Sequence, residues 1–322
     1  MNVTVRRRRT ALLALGALAA SGCGIAAAAA SQATAPPPGF EASFDYDRSA
    51  PLAPTAALQA QTDLVRIEKV TFRGADGSRV PALLALPKRA AAPFPCLVEG
   101  HALTSSKDEV FAEKAEAYAT RGVAIFALDA RYHGERKAGI GPLRAAARLD
   151  TLHRLFRLTV IDMRRGLDYL AERGICDPSR LGYEGRSLGG FMGSMLIGAD
   201  TRIKAAVLLV SGADWRTYFS KSYALLGGPL RGRALDDAVR KMASLDPKYW
   251  IARASGRPVF MAAGRRDDLT PLASALALHR AARQPKQALV YDGGHDLEEP
   301  YGTRVSRASA AFLKRYLRIR PG

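Results

Sequence analysis

The sequence predicts a doubly wound α/β fold, a mostly parallel twisted sheet with helices on both faces. Three observations predict it. Short apolar runs alternate with helical patterns across 65–316, with no long polar linker between them. The clearest helical pattern spaces Phe156, Val160, Met163, Leu167 and Leu170 along one helix face. Just beyond it, the strand-like run 180–184 enters Gly185-Arg186-Ser187-Leu188-Gly189-Gly190, a strand–turn–helix with a serine on the turn.

The first 33 residues read as an export signal outside the fold. Four arginines at 6–9 precede an apolar stretch at 11–20 and then Ser21-Gly22-Cys23-Gly24, which are the charged, apolar and small-residue regions such signals need. The stretch is too short for a transmembrane anchor. The paired arginines resemble a twin-arginine signal, although the usual following residues are only partly present. Ala20-Ser21-Gly22-Cys23 resembles a lipobox with Ala20 where leucine is usual. Two outcomes stay open: membrane attachment through a lipidated Cys23, or cleavage after Ala30 or Ala33. Both give a periplasmic, secreted or envelope-anchored protein. Residues 34–62 are rich in alanine and proline and read as a tether, leaving 63–322 as the folded domain.

Within that domain, runs at 64–72 and 79–86 read as an antiparallel start to the sheet. Parallel strands follow near 96–99, 123–129, 180–184, 205–210, 259–263 and 287–291, eight strands in all. The helix before the serine keeps Arg154, Arg157, Arg164 and Arg165 mainly on its wet side. Between 210 and 259, Trp215, Tyr218, Phe219, Tyr223, Leu225 and Leu226 mark a small helical insertion. It would either overhang the site and shape a pocket or pack onto the sheet, and both can hold.

A serine hydroxyl needs a base to take its proton and a third group to orient that base. Among the five histidines, His295 is the candidate base. It follows the apolar run 287–291, which reads as a buried strand, in the flexible turn Asp292-Gly293-Gly294-His295. The acid should come from another strand end, where 258–264 runs into Arg265-Arg266-Asp267-Asp268. Asp267 is the choice and Asp268 the alternative. Gly185 and Gly189 supply the small neighbours a strained turn demands, and Gly190 and Gly193 let the next helix approach. The turn also aims the Leu188 N–H at an oxyanion beside Ser187.

The order Ser187, Asp267, His295 is that of the α/β-hydrolases, which the chain resembles over nearly all of 65–316. It looks most like the branch of dienelactone hydrolases, acetyl xylan esterases and prolyl oligopeptidases. Supporting residues are His101 to Lys107, Asp129 to Arg136, and Gly264-x-x-Asp267-x-x-x-Pro271. The resemblance implies a second oxyanion donor, the Leu103 N–H. Here the chain departs by carrying Ala102 where glycine is usual, a penalty if that position needs φ > 0. It also carries serine where true dienelactone hydrolases use cysteine. His101 and His133 are expected to make structural hydrogen bonds near the site. In this fold the strands of Cys96 and Cys176 are usually neighbours, which leaves open a disulfide or two buried free thiols.

These readings imply an exported serine esterase acting on short-chain acyl or acetyl esters of small molecules or carbohydrates, without metal or organic cofactor. The alternatives are a peptidase or amidase of prolyl-oligopeptidase type and a non-catalytic binding protein. Only about a hundred residues precede the oxyanion loop, which leaves no room for the propeller of those peptidases. The formal net charge is +18, of which the four signal arginines contribute four. The arginines are scattered and match no nucleic-acid-binding motif, so no specific nucleic-acid partner is expected.

Overall fold

The computed structural model describes residues 35–137 and 139–319. The expected export signal, Cys23 included, lies outside the described residues. Among the described residues one sheet has nine strands: β1 (Thr55–Gln61), β2 (Val65–Arg73), β3 (Arg79–Pro87), β4 (Phe94–Gly100), β5 (Ala124–Leu128), β6 (Cys176–Arg186), β7 (Ala205–Leu209), β8 (Val259–Gly264) and β9 (Lys286–Tyr291). Their order is β1-β2-β3-β5-β4-β6-β7-β8-β9. The first three strands run antiparallel to their neighbours, and every pair from β5 to β9 is parallel.

Helices α1 (Lys107–Ala119), α2 (Pro142–Ala146), α3 (Leu149–Glu172), α4 (Leu188–Ala199), α5 (Trp215–Phe219), α6 (Gly232–Met242), α7 (Pro247–Ile251), α8 (Leu272–Ala281) and α9 (Tyr301–Leu317) connect or cover the strands. Successive side chains on a strand point to opposite faces. Leu84, Val98, Phe126, Tyr183 and Leu208 therefore join the core under α3 and α4, while Leu97 and Val207 pack with α9, and Leu83 and Ile125 with α1. Coverage on both faces is why β4, β5, β7 and β8 are buried along their whole length and apolar at every position but Glu99 of β4. β9, read from sequence as a buried strand, is the sheet edge and is half-exposed. No helix among the described residues is long and apolar enough to cross a membrane.

The tether expected over 34–62 is corrected by the structure. Phe40–Phe44 forms a 3-10 turn whose two phenylalanines are buried against Trp250, with ring centroids 5.1 and 4.5 Å away. Farther on, β1 supplies the ninth strand, where eight were expected. The cause lies on α3. Arg164 and Arg165, expected on its wet side, are buried. Arg164 Nη1 donates to Phe44 O at 2.5 Å, and Arg165 Nη2 donates to Ala50 O and Pro51 O at 3.1 Å each. Arg157 Nε reaches Ser43 O at 2.9 Å, whereas Arg154 is exposed as expected. A non-helical arm offers unpaired carbonyls, and a guanidinium has five donors to place against them.

A disulfide joins Cys96 to Cys176, with Cα atoms 5.5 Å apart, so the alternative of two free thiols does not hold. It ties β4 to β6 near the strand starts, at the far end from Ser187. The insertion between β7 and β8 is helical, as read from sequence. Buried Asp246 organises it by accepting from the N–H groups of Asp214, Trp215 and Lys248 at 2.9, 3.0 and 3.1 Å. Trp215 stacks on Phe219 and on Phe191, Tyr218 meets all three rings edge-on, and Trp215 also meets Phe156, so these aromatics pack the insertion onto α3 and α4.

Candidate active site

Ser187 sits between β6 and α4 at φ 54° and ψ −117°, backbone angles that L-residues rarely adopt. Its N–H donates to Leu209 O at 2.8 Å and its carbonyl accepts from the Phe191 N–H at 3.0 Å, which pins the turn to β7 and to the helix. The surrounding glycines are sterically required. A Cβ at Gly189 would stand 2.0 Å from Gly100 O, and one at Gly185 2.5 Å from the Gly189 backbone. At Gly190 and Gly193 it would strike Ser211 and Tyr183 at 2.7 and 2.1 Å.

The structure brings Ser187, His295 and Asp267 into one hydrogen-bonded row. Asp267 Oδ2 lies 2.8 Å from His295 Nδ1, and His295 Nε2 lies 2.9 Å from Ser187 Oγ. A carboxylate only accepts, so Nδ1 carries the proton and Nε2 is left to accept from the serine hydroxyl. Asp267 is 5% exposed, and its other oxygen accepts the N–H groups of Leu269 and Thr270 at 3.0 and 2.6 Å. These bonds fix the carboxylate plane. Asp268, the alternative, points to solvent, and its carbonyl accepts the Tyr223 N–H at 3.1 Å. Ser222 Oγ donates to Leu269 O at 2.7 Å, so the insertion holds the acid loop from outside.

Leu188 opens α4, where the first N–H groups have no partner inside the helix. The close approach of Gly100 to Gly189 draws the loop from His101 to Leu103 alongside that helix start. Two histidines brace this loop. His101 Nε2 accepts the Ala130 N–H at 3.0 Å and its Nδ1 donates to Ala102 O at 2.8 Å. Burial, helped by neighbouring His133, pushes the His101 pKa down to about 4 and keeps the ring neutral. His133 places Nε2 2.7 Å from Leu103 O and Nδ1 2.7 Å from Arg131 O. Burial lowers its pKa more than the two carbonyls raise it. Ala102 is not among the residues with positive φ, so the penalty considered for alanine there does not arise.

Sequence reasoning missed two features. Arg186 Nη2 donates to His295 O and to Asp296 Oδ1, each at 3.3 Å, linking the serine turn to the histidine loop. Its position inside the glycine–serine motif was the available signal. Beneath the site, Glu99 of β4 and Glu184 of β6 share Lys114 of α1, at 2.9 and 2.7 Å. Burial above all, then the neighbouring Glu184 charge, pushes the Glu99 pKa up to about 8, against the pull of Lys114. Its Oε1 has no hydrogen-bond partner among the described residues.

A model of the prolyl oligopeptidase family matches residues 149–320, more than half of the chain. A curated relative, the uncharacterized peptidase YuxL of Bacillus subtilis (strain 168), is 30% identical over 128 residues. That match covers 38% of this chain and 19% of the relative, so the chain spans about a fifth of that protein's length. An acetyl xylan esterase from Paenibacillus sp. R4 shares the fold with a TM-score of 0.70 at 22% identity, over 86% of this chain and 92% of that one. A puromycin-hydrolyzing peptidase from Mycobacterium tuberculosis gives 0.63 at 22% identity, over 80% of this chain and 40% of that one. The nine-stranded sheet, the turn that carries Ser187 and the match over 149–320 together place this chain in the prolyl oligopeptidase family, on the α/β-hydrolase fold.

Proposed function

We propose that the protein is a serine hydrolase of carboxylic esters, acting on short-chain acyl or acetyl esters. The observation that carries the reading is the row from Asp267 through His295 to Ser187, with the serine held at strained backbone angles. In this reading His295 Nε2 takes the Ser187 proton as Oγ attacks the ester carbonyl. Asp267 stabilises the imidazolium through Nδ1–H. The N–H groups of Leu188 and Leu103 receive the negative charge that develops on the carbonyl oxygen. His295 then returns the proton to the departing alcohol. In the second half it takes a proton from water, which attacks the acyl-serine and releases the acid. Acetyl esters are the first to try because the solved structures that share this fold over most of their length include acetyl xylan esterases.

Amide or peptide hydrolysis by the same three residues is the second reading, favoured by the family match and by the curated relative's description as a peptidase. Both are tested with 4-nitrophenyl esters of increasing chain length and with proline anilides, comparing wild type with Ser187→Ala. The expected result is hydrolysis of the acetyl ester, falling with acyl length, and a loss of at least about 10⁴-fold in the variant. Anilide turnover exceeding ester turnover would shift the assignment to the amidase reading, and equal activity in the variant would remove Ser187 from the mechanism. We also propose that the protein is exported, since a disulfide such as Cys96–Cys176 persists in oxidising compartments.

A further inference from the structure

A cleft of about 220 Å³ lies where the start of β3 meets the loop after β5. Three guanidiniums line it, those of Arg79, Arg131 and Arg136. Two are held rigidly from behind. Arg131 pairs with Asp76 at 2.6 Å and Asp162 at 3.3 Å, and Arg136 pairs with the same Asp162 at 2.8 Å and donates to Asp129 O at 3.0 Å. Among the described residues no group accepts from Arg131 Nη1. Arg79 is exposed, and among the described residues its one side-chain hydrogen bond is Nη2 to Thr71 Oγ1 at 3.4 Å. Two carboxylates against three guanidiniums leave one positive charge at the cleft. Glu135 does not cancel it, because Lys69 matches its carboxylate at 2.9 Å, while Lys107, also 2.9 Å from Glu135, is shared with buried Asp129 at 3.0 Å and exposed Asp108 at 2.9 Å.

The rest of the lining is mixed. Ser78 and Glu135 can exchange hydrogen bonds with hydroxyls, and Tyr132, half-buried against the core, also lines the cleft. Tyr132 is held at φ 67°, a left-handed conformation that strains a bulky residue and is found where ligands are clamped. The strain is imposed by its neighbours: His133 N–H donates to Ala130 O at 3.1 Å while His133 Nδ1 faces Arg131 O.

We propose that this cleft binds a small hydroxylated carboxylate of sugar-acid type. Its carboxylate would take the open edges of Arg79 and Arg131, its hydroxyls would meet Ser78 and Glu135, and one face would lie on Tyr132. A carboxylate in the lining disfavours a compact dianion such as phosphate, and a single uncompensated charge fits a monoanion. The ligand is either free or the charged part of a larger substrate.

The test titrates D-glucuronate, D-glucose and inorganic phosphate into the full chain at low ionic strength, followed by calorimetry. The readout needs no catalysis, so its failure is distinguishable from failure of the esterase reading. The expected result is saturable glucuronate binding with Kd of about 1 mM, no glucose binding, and weakening of at least about tenfold in Arg79→Gln. Arg79 is exposed, and an unchanged unfolding temperature would show that the variant folds. Equal binding of glucose and glucuronate, tighter binding of phosphate, or wild-type affinity in Arg79→Gln would overturn the proposal. Competition between glucuronate and a 4-nitrophenyl ester would support a substrate subsite, and binding without competition would support a separate ligand.

Discussion

At Ser187 a side chain occupies backbone angles that glycine prefers, so the residue proposed as nucleophile is also a point of stored strain. Replacing it with alanine keeps the Cβ and the strain, whereas glycine removes both. Ser187→Gly should therefore unfold at higher denaturant than Ser187→Ala, by about 1 kcal/mol, although both lack the hydroxyl. Equal midpoints in urea would mean that the neighbouring glycines absorb the strain. Much of this site was legible because the constraint is written in residue types: only glycine fits at 185 and 189, and a carboxylate and an imidazole had to stand at strand ends. Arg186 was marked only by its place in the glycine–serine motif, since its partners, the His295 carbonyl and the Asp296 carboxylate, lie more than a hundred positions away.

Among the elements, β4 and β6 do two jobs at opposite ends. Their C-terminal ends carry Leu103 and Ser187, and their starts carry the disulfide, which closes a loop of 80 residues through α1, α2 and α3. Loop-closure entropy assigns such a link about 4–5 kcal/mol. The Cys96→Ser/Cys176→Ser double variant should melt at least several degrees below wild type, as read by differential scanning calorimetry. Its ester turnover at low temperature should be close to wild type, because the link lies away from the reactive groups. Strands with one clear pattern were readable, such as the continuous apolar runs of β5 and β7. β1 was not: Thr55–Gln61 is exposed at every position, so neither alternation nor a buried run marks it. Nor was the inward turn of Arg164 and Arg165, which depends on an arm that itself shows no period.

For the molecule as a whole, the Glu99–Lys114–Glu184 cluster couples stability to pH. The unfolded chain releases the Glu99 proton near pH 4.5, while the folded chain keeps it until about 8. In that window the folded state binds the extra proton, so stability falls as pH rises, by up to about 1.4 kcal/mol per pH unit, and levels off above 8. Glu99→Gln removes this contribution while leaving Lys114 its bond to Glu184. Its melting temperature should change less than that of wild type between pH 5 and pH 8. Parallel curves would show that folded Glu99 is already ionised.

The arm from Phe40 to Pro51 also has a practical meaning for anyone trimming or tagging the protein. A form begun at Asp63 would look complete by strand count, since it keeps eight strands and every residue of the proposed chemistry. It would nevertheless lose Phe40 and Phe44 from beside Trp250 and strip Arg164 and Arg165 of the carbonyls that make their burial tolerable. The usable cut lies before Phe40. A purification handle belongs upstream of that residue, and a protease that nicks between 40 and 62 would release the piece that shields two buried cations.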